Sequence, residues 1–227
     1  MDLREVQAAT PNSSRVRHPW ELERFAFFQE LLLRADLLQP SSAILDVGSG
    51  DAWLASQLAS GHNLAPMTCW DLNYNEQSAE NLGIDTQALR LCNKRPDEKF
   101  DLILMLDVLE HIDDDLEFLC QTVQQNLRPG GALLISVPAW KQLISNHDRW
   151  LQHVKRYLPG EFHATLAAAQ LETISKGGLF HSLLLPRSLG VLKERLSASA
   201  PLAEEPTLQW QAGPLTTSLV RSALRID

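Results

Sequence analysis

Apolar positions recur at helical spacing from Trp20 onward: Phe25, Phe28, Leu32 and Ala35 step by three and four, predicting an amphipathic helix that reaches about Leu38. Pro40 and the two serines after it end the helix. The period then shortens. Ala43 to Val47 is a compact, β-rich run followed at once by glycines, which predicts a buried strand. Short apolar runs and helical stretches alternate from there. A helix from about Ala52 to Ser60 stops at Gly61, a strand spans Met67 to Leu72, a helix over Glu76 to Leu82 stops at Gly83, and a third strand covers Thr86 to Cys92. Phe100 to Leu106 is almost unbroken in its apolar character, as in a parallel strand covered on both faces, and is expected in the middle of the sheet. Asp113, Asp114 and Asp115 put negative charge at the positive end of a helix striped by Leu116, Leu119, Cys120, Val123 and Leu127, so they read as caps rather than ligands. Arg128-Pro129-Gly130-Gly131 breaks that helix ahead of a fifth strand, Ala132 to Val137.

Five such alternations imply a parallel sheet. Beyond Pro138 the pattern loosens into a polar and aromatic stretch, Ala139 to Tyr157, longer than a plain connection needs and therefore a candidate for function. Pro159 opens a helix with Phe162 and Leu166 on one side. Glu172 to Phe180 is expected to carry strand six, and His181 to Leu196 an amphipathic helix broken at Pro186. Ser197 to Pro206 reads as a linker, and Gly213 to Ile226 as either a last helix or a seventh strand.

Composition narrows the class. The 227 residues fit one ordinary domain, and no apolar run approaches the roughly 18 residues that span a bilayer. Met1 to Arg17 is polar and reads as a flexible lead rather than a secretory signal, so a cytoplasmic location is expected. A net charge of −8 disfavours nucleic acid as the main partner. Arg149, Lys155 and Arg156 form a local basic cluster that reads as a solvated surface or as a greeting for an anionic small molecule. Cys69, Cys92 and Cys120 are widely spaced among apolar residues, which suits reduced core thiols, and no metal site is expected.

The sharpest chemical signal is Asp46-Val47-Gly48-Ser49-Gly50-Asp51, at the end of the first strand and the start of a helix. Glycines there let the backbone turn tightly and approach a ligand, while the helix offers unpaired amides. A second acid, Asp71, follows the second strand at about the 20-residue separation at which a carboxylate meets ribose hydroxyls. A dinucleotide site wants a third glycine where this chain has Trp53, so a cofactor without a pyrophosphate fits better than a nicotinamide dinucleotide.

Ile44-Leu45-Asp46-Val47-Gly48-Ser49-Gly50 resembles the first motif of class I S-adenosylmethionine-dependent methyltransferases. Phe100-Asp101-Leu102-Ile103, Asp107-Val108-Leu109-Glu110-His111 and Leu127-Arg128-Pro129-Gly130-Gly131-Ala132-Leu133-Leu134 resemble later motifs of the branch containing ubiquinone-biosynthesis methyltransferases. The resemblance covers about Trp20 to Phe180. It implies an α/β fold, a Rossmann-like and mostly parallel sheet of six to seven strands flanked by helices, with an N-terminal helix and a small C-terminal helical cap. The expected division is a lead over 1–17, a cofactor-binding domain over 18–180 and a helical extension over 181–227. S-adenosylmethionine is the implied cofactor. Gly48 and Gly50 would face its methionine portion, Asp71 the ribose, Leu72 and Asn93 the adenine, with Asp46 orienting the glycine turn and Asp107 completing the set. Asn93 stands where many relatives carry an acid, and its amide oxygen can accept the same hydrogen bond.

For the acceptor side the candidates are His111, just after strand four, and His147, Asp148 and His153 in the stretch after strand five. Both places lie at strand carboxyl ends, where open α/β sheets bind ligands. His111 reads equally as a packed histidine. Asp107-Val108-Leu109-Glu110 lacks the two prolines and aromatic of amino-directed nucleic-acid methyltransferases, which leaves a small molecule or a lipid- or sugar-linked group as acceptor. His18-Pro19-Trp20-Glu21 reads either as a simple helix start or as an opening segment lying over the cofactor. A cofactor-binding module without activity is the other reading the sequence leaves open.

Overall fold

The computed structural model describes residues 17–197, 210 and 212–225. The described chain divides into two compact units, one built on Gln29–Val137 and the other on the described parts of Ser14–Phe28 and Pro138–Asp227.

The first unit is a parallel sheet. Strands β1 (Ile44–Val47), β2 (Met67–Trp70), β3 (Leu89–Cys92), β4 (Phe100–Leu106) and β5 (Leu127–Ser136) lie in the order β3-β2-β1-β4-β5. In register, Asp46 sits beside Cys69 on one flank and Leu104 on the other. The apolar run of β4 is fully buried from Leu102 to Met105, as its composition predicts, but the central strand is β1. An apolar run reports burial on two faces, and every interior strand has that, so the pattern alone does not rank them. Helices α2 (Trp53–His62), α3 (Ser78–Leu82) and α4 (Asp115–Asn126) connect the strands. Leu58 and Ala55 of α2 and Leu119 of α4 are buried, and a leucine so placed is worth about 1.5–3 kcal/mol. The aspartate caps occur as read: Asp114 accepts from the amide of Glu117 at 3.1 Å.

Among the described residues the sheet has five strands, not six or seven. The stretch from Glu172 to Phe180 forms no strand. Before Leu179 its single large apolar residue is Ile174, and Gly177-Gly178 supply no side chains to pack and a high entropic cost of ordering. The seventh-strand alternative fails too, because Pro214–Arg225 is helix α8.

The second unit is helical. Helix α1 (Pro19–Arg34), of which the residues up to Phe28 belong to this unit, enters through His18, whose backbone amide donates to Glu21 at 3.0 Å while its ring Nδ1 accepts from the amide of Trp20 at 3.3 Å. That reciprocal pairing, with proline at the first helical position, is a helix start built like a capping box. It engages Glu21 in capping. The stretch after β5 is more ordered than a loop: a 3-10 turn (Lys141–Leu143) and helix α5 (Asn146–Trp150) lie between Ala139 and Tyr157, which pair as a parallel bridge. Helices α6 (Pro159–Ala168), α7 (Leu184–Leu196) and α8 follow. Pro186 does not break α7, because it lies in the first turn, where its missing amide has no carbonyl to bond.

Candidate active site

The strand order reverses between β1 and β4, the place where an open α/β sheet leaves a crevice at its carboxyl edge. Gly48 and Gly50 turn the chain there with φ of +64° and +56°. The amide of Gly48 donates to the Trp70 carbonyl at 2.7 Å, which ties the turn to the end of β2. A Cβ on Gly48 would stand 2.7 Å from Cγ2 of Val108, so the segment after β4 packs directly on this glycine and admits no side chain. Ser49 and Tyr74 share a 2.9 Å hydroxyl contact beneath the turn. Burial pushes the Tyr74 phenol far above its ordinary range, so it stays neutral.

Asp71 follows β2. One of its oxygens accepts from the amide of Gly50 at 3.0 Å; the other accepts from the amide and the side-chain nitrogen of Asn73 at 2.9 and 3.0 Å. Leu72 beside it is 78% exposed, and Asn93, just past β3, is also exposed. Asp46 is buried within β1. After β4, Asp107 takes φ +56°, an uncommon conformation for a residue with a side chain; its backbone amide donates to the Ser136 carbonyl (3.0 Å) and its carboxylate accepts from the Ser136 hydroxyl (2.9 Å). All seven cofactor candidates therefore belong to the first unit, at or just beyond the ends of β1 to β4. His111 closes the 3-10 turn Leu109–His111 that follows Asp107, and Glu110 in the same turn is fully buried.

These residues fit an adenosyl cofactor. A large apolar side chain left in water beside a carboxylate and an open glycine turn is a surface that a base and its ribose would cover. The helix after the turn starts at Trp53, in line with a ligand lacking a pyrophosphate.

In the second unit Asp148 is fully buried. It accepts from the amide and hydroxyl of Ser145, both at 2.8 Å, from Arg156 at 2.7 and 2.8 Å, from Arg187 at 2.7 Å and from Nδ1 of His153 at 3.1 Å. Burial raises its carboxyl, but these donors more than offset that and hold it far below the usual carboxylate range. An ionised carboxylate only accepts, so Nδ1 of His153 is the donor in this bond. The structure thus joins two of the three candidates of this stretch. His147 instead stacks on Trp150, with centroids 6.1 Å apart, and burial lowers its pKa. Ser145 and Arg187 were not candidates from sequence, and Arg156 was read only as part of a basic cluster. Ser145 has a local signal, since Ser-x-x-Asp is a capping box. Arg187 has none, lying 39 positions from Asp148.

Residues 20–176 match the family described as "Methyltransferase domain". The chain belongs to the class I S-adenosylmethionine-dependent methyltransferases. S-adenosylmethionine is the cofactor of this family. Among curated relatives it is 34% identical over 103 residues to a ubiquinone biosynthesis O-methyltransferase of Rhizobium rhizogenes, covering 40% of this chain and 41% of the relative. To the protein of the same name from Rhizobium etli it is 29% identical over 160 residues, 62% of this chain and 64% of the relative. The matches therefore span less than two thirds of either relative. Among solved structures, the N-methyltransferase NodS of Bradyrhizobium japonicum, in complex with S-adenosyl-L-homocysteine, shares the fold at a TM-score of 0.52 and 18% identity, over 74% of this chain and 82% of that one.

Proposed function

We propose that this methyltransferase places the methyl group of S-adenosylmethionine on a hydroxyl oxygen of a small-molecule or lipid- or sugar-linked acceptor. The observation that carries the hydroxyl assignment is the buried Asp148 carboxylate on Nδ1 of His153. A hydroxyl must lose its proton as it is methylated, and a histidine oriented through Nδ1 by a carboxylate is the type of side chain that takes one. The names of the two rhizobial relatives, both O-methyltransferases, point the same way.

In this reading Gly48 and Gly50 face the methionine portion, Asp71 accepts from the ribose, and Leu72 and Asn93 meet the adenine. Asp46 and the strained Asp107 shape the turn around them. When bound, the cofactor supplies an electrophilic methyl on a sulfonium. The chain's own work is to hold donor and acceptor in line and exclude water. His153 takes the hydroxyl proton on Nε2 and Asp148, enclosed by its donors, acts as the positioning residue that fixes the ring.

Methyl-labelled S-adenosylmethionine offered with a mixed set of hydroxylated compounds and amines tests this. Label should enter the hydroxylated compounds. His153→Ala should lower that turnover by about two orders of magnitude while S-adenosylhomocysteine affinity stays within about twofold. Label confined to amines, or unchanged turnover in the variant, would contradict the assignment.

A further inference from the structure

Helix α7 presents two unlike faces. Arg187 donates to Ser145 and Asp148 (both 2.7 Å), Glu194 accepts from the amide of Asn146 (2.9 Å), and Val191 is buried, so these three anchor one side. On the other side Leu185, Leu189, Leu192 and Leu196 are 69%, 58%, 53% and 76% exposed. Their spacing of four, three and four keeps them within an arc of about 60° on a helix of 3.6 residues per turn. A stripe this narrow and this apolar on a helix fixed by its polar face is a surface awaiting a partner.

We propose that this leucine stripe lies on a membrane surface bearing anionic phospholipids, with α7 parallel to the bilayer. Charge selects the occupant. The stripe is flanked by exposed Lys193 and by exposed Arg195, which also donates to the Gln142 carbonyl at 2.8 Å, while Glu194, the helix's single acid, faces inward to Asn146. Two parallel copies meeting along this seam would bring Lys193 against Arg195, and two antiparallel copies would set these cations against Pro186 and Ser188, so neither arrangement pairs them with an acid. Anionic headgroups meet the same cations favourably, and leucines between them reach the acyl boundary. The net charge of −8 does not forbid this, because charges more than about 8–10 Å from the headgroups are screened at physiological salt while the flanking cations lie in contact. Spanning is excluded for this helix: its 13 residues fall short of the roughly 20 that cross a bilayer. The inference is independent of the acceptor's identity.

Co-sedimentation of the full chain with vesicles of phosphatidylcholine alone, or mixed with phosphatidylglycerol, is the test. Binding is expected to the mixed vesicles and to weaken at high salt. Leu189→Glu with Leu192→Glu should release the protein, and Lys193→Glu should lower partitioning about fivefold or more. Both leucines are more than half exposed, so the double variant should melt as the parent does. No binding to the mixed vesicles, equal binding to both kinds, or binding that survives the double variant would each overturn the proposal. A dimer in solution that the double variant dissolves would overturn it in favour of a second copy.

Discussion

Asp71 accepts three hydrogen bonds within the protein, from Gly50 and twice from Asn73, out of roughly four acceptor positions a carboxylate offers. A ribose diol that uses this carboxylate must displace one donor, and the Asn73 side chain is the one that can swing away without moving the backbone. Asp71→Ala should therefore weaken S-adenosylhomocysteine binding by about 1.5–3 kcal/mol, and Asn73→Ala should strengthen it by about 1 kcal/mol, both read by calorimetry. Weaker binding in the Asn73 variant would mean that its amide contributes to the ligand. Gly48, Gly50 and Asp71 were legible in the sequence because strand, turn and acid follow one another within a short stretch. What forbids a side chain at Gly48 was not legible: Val108 is sixty positions away and meets it only through the pairing of β1 with β4.

Helices α5 and α7 are joined through one buried carboxylate. Removing it in Asp148→Ala leaves Arg156 and Arg187 without their carboxylate partner and should cost about 3 kcal/mol in urea unfolding, nearer the lower end of the range for buried pairs because Arg187 is partly exposed. The carboxyl titrates far below its value in the unfolded chain, so the unfolded state takes up the proton first. Its stabilisation is thus complete above about pH 4 and is lost as the pH falls further. Asp148→Asn should flatten the acid limb of the stability curve, and an unchanged slope below about pH 4 would contradict the network. Sequence patterning found most helices and all five strands of the sheet, since each carries its period locally. It overcalled strand six, where Gly177-Gly178 interrupt the stretch, and it read Arg156 as solvated surface or a contact for an anionic small molecule, because nothing in spacing reveals a buried partner.

At the scale of the molecule, the family assignment rests on a match over residues 20–176, and every cofactor candidate falls in one unit, around the glycine turn of a five-stranded parallel sheet. The second unit carries the Asp148 network and a salt-linked helix pair, in which Glu23 of α1 bonds both Arg221 and Arg225 of α8. Burial pushes the Glu23 carboxyl up, and the two guanidiniums outweigh it and hold it below its usual value. The most direct test of the central claim is calorimetric titration of the full chain with S-adenosylhomocysteine and, separately, with NAD. The structure predicts that S-adenosylhomocysteine binds, that Asp71→Ala weakens this binding by about tenfold or more at an unchanged melting temperature, and that NAD does not bind. Binding of NAD in place of S-adenosylhomocysteine, or an Asp71→Ala variant that binds as tightly as the parent, would contradict it.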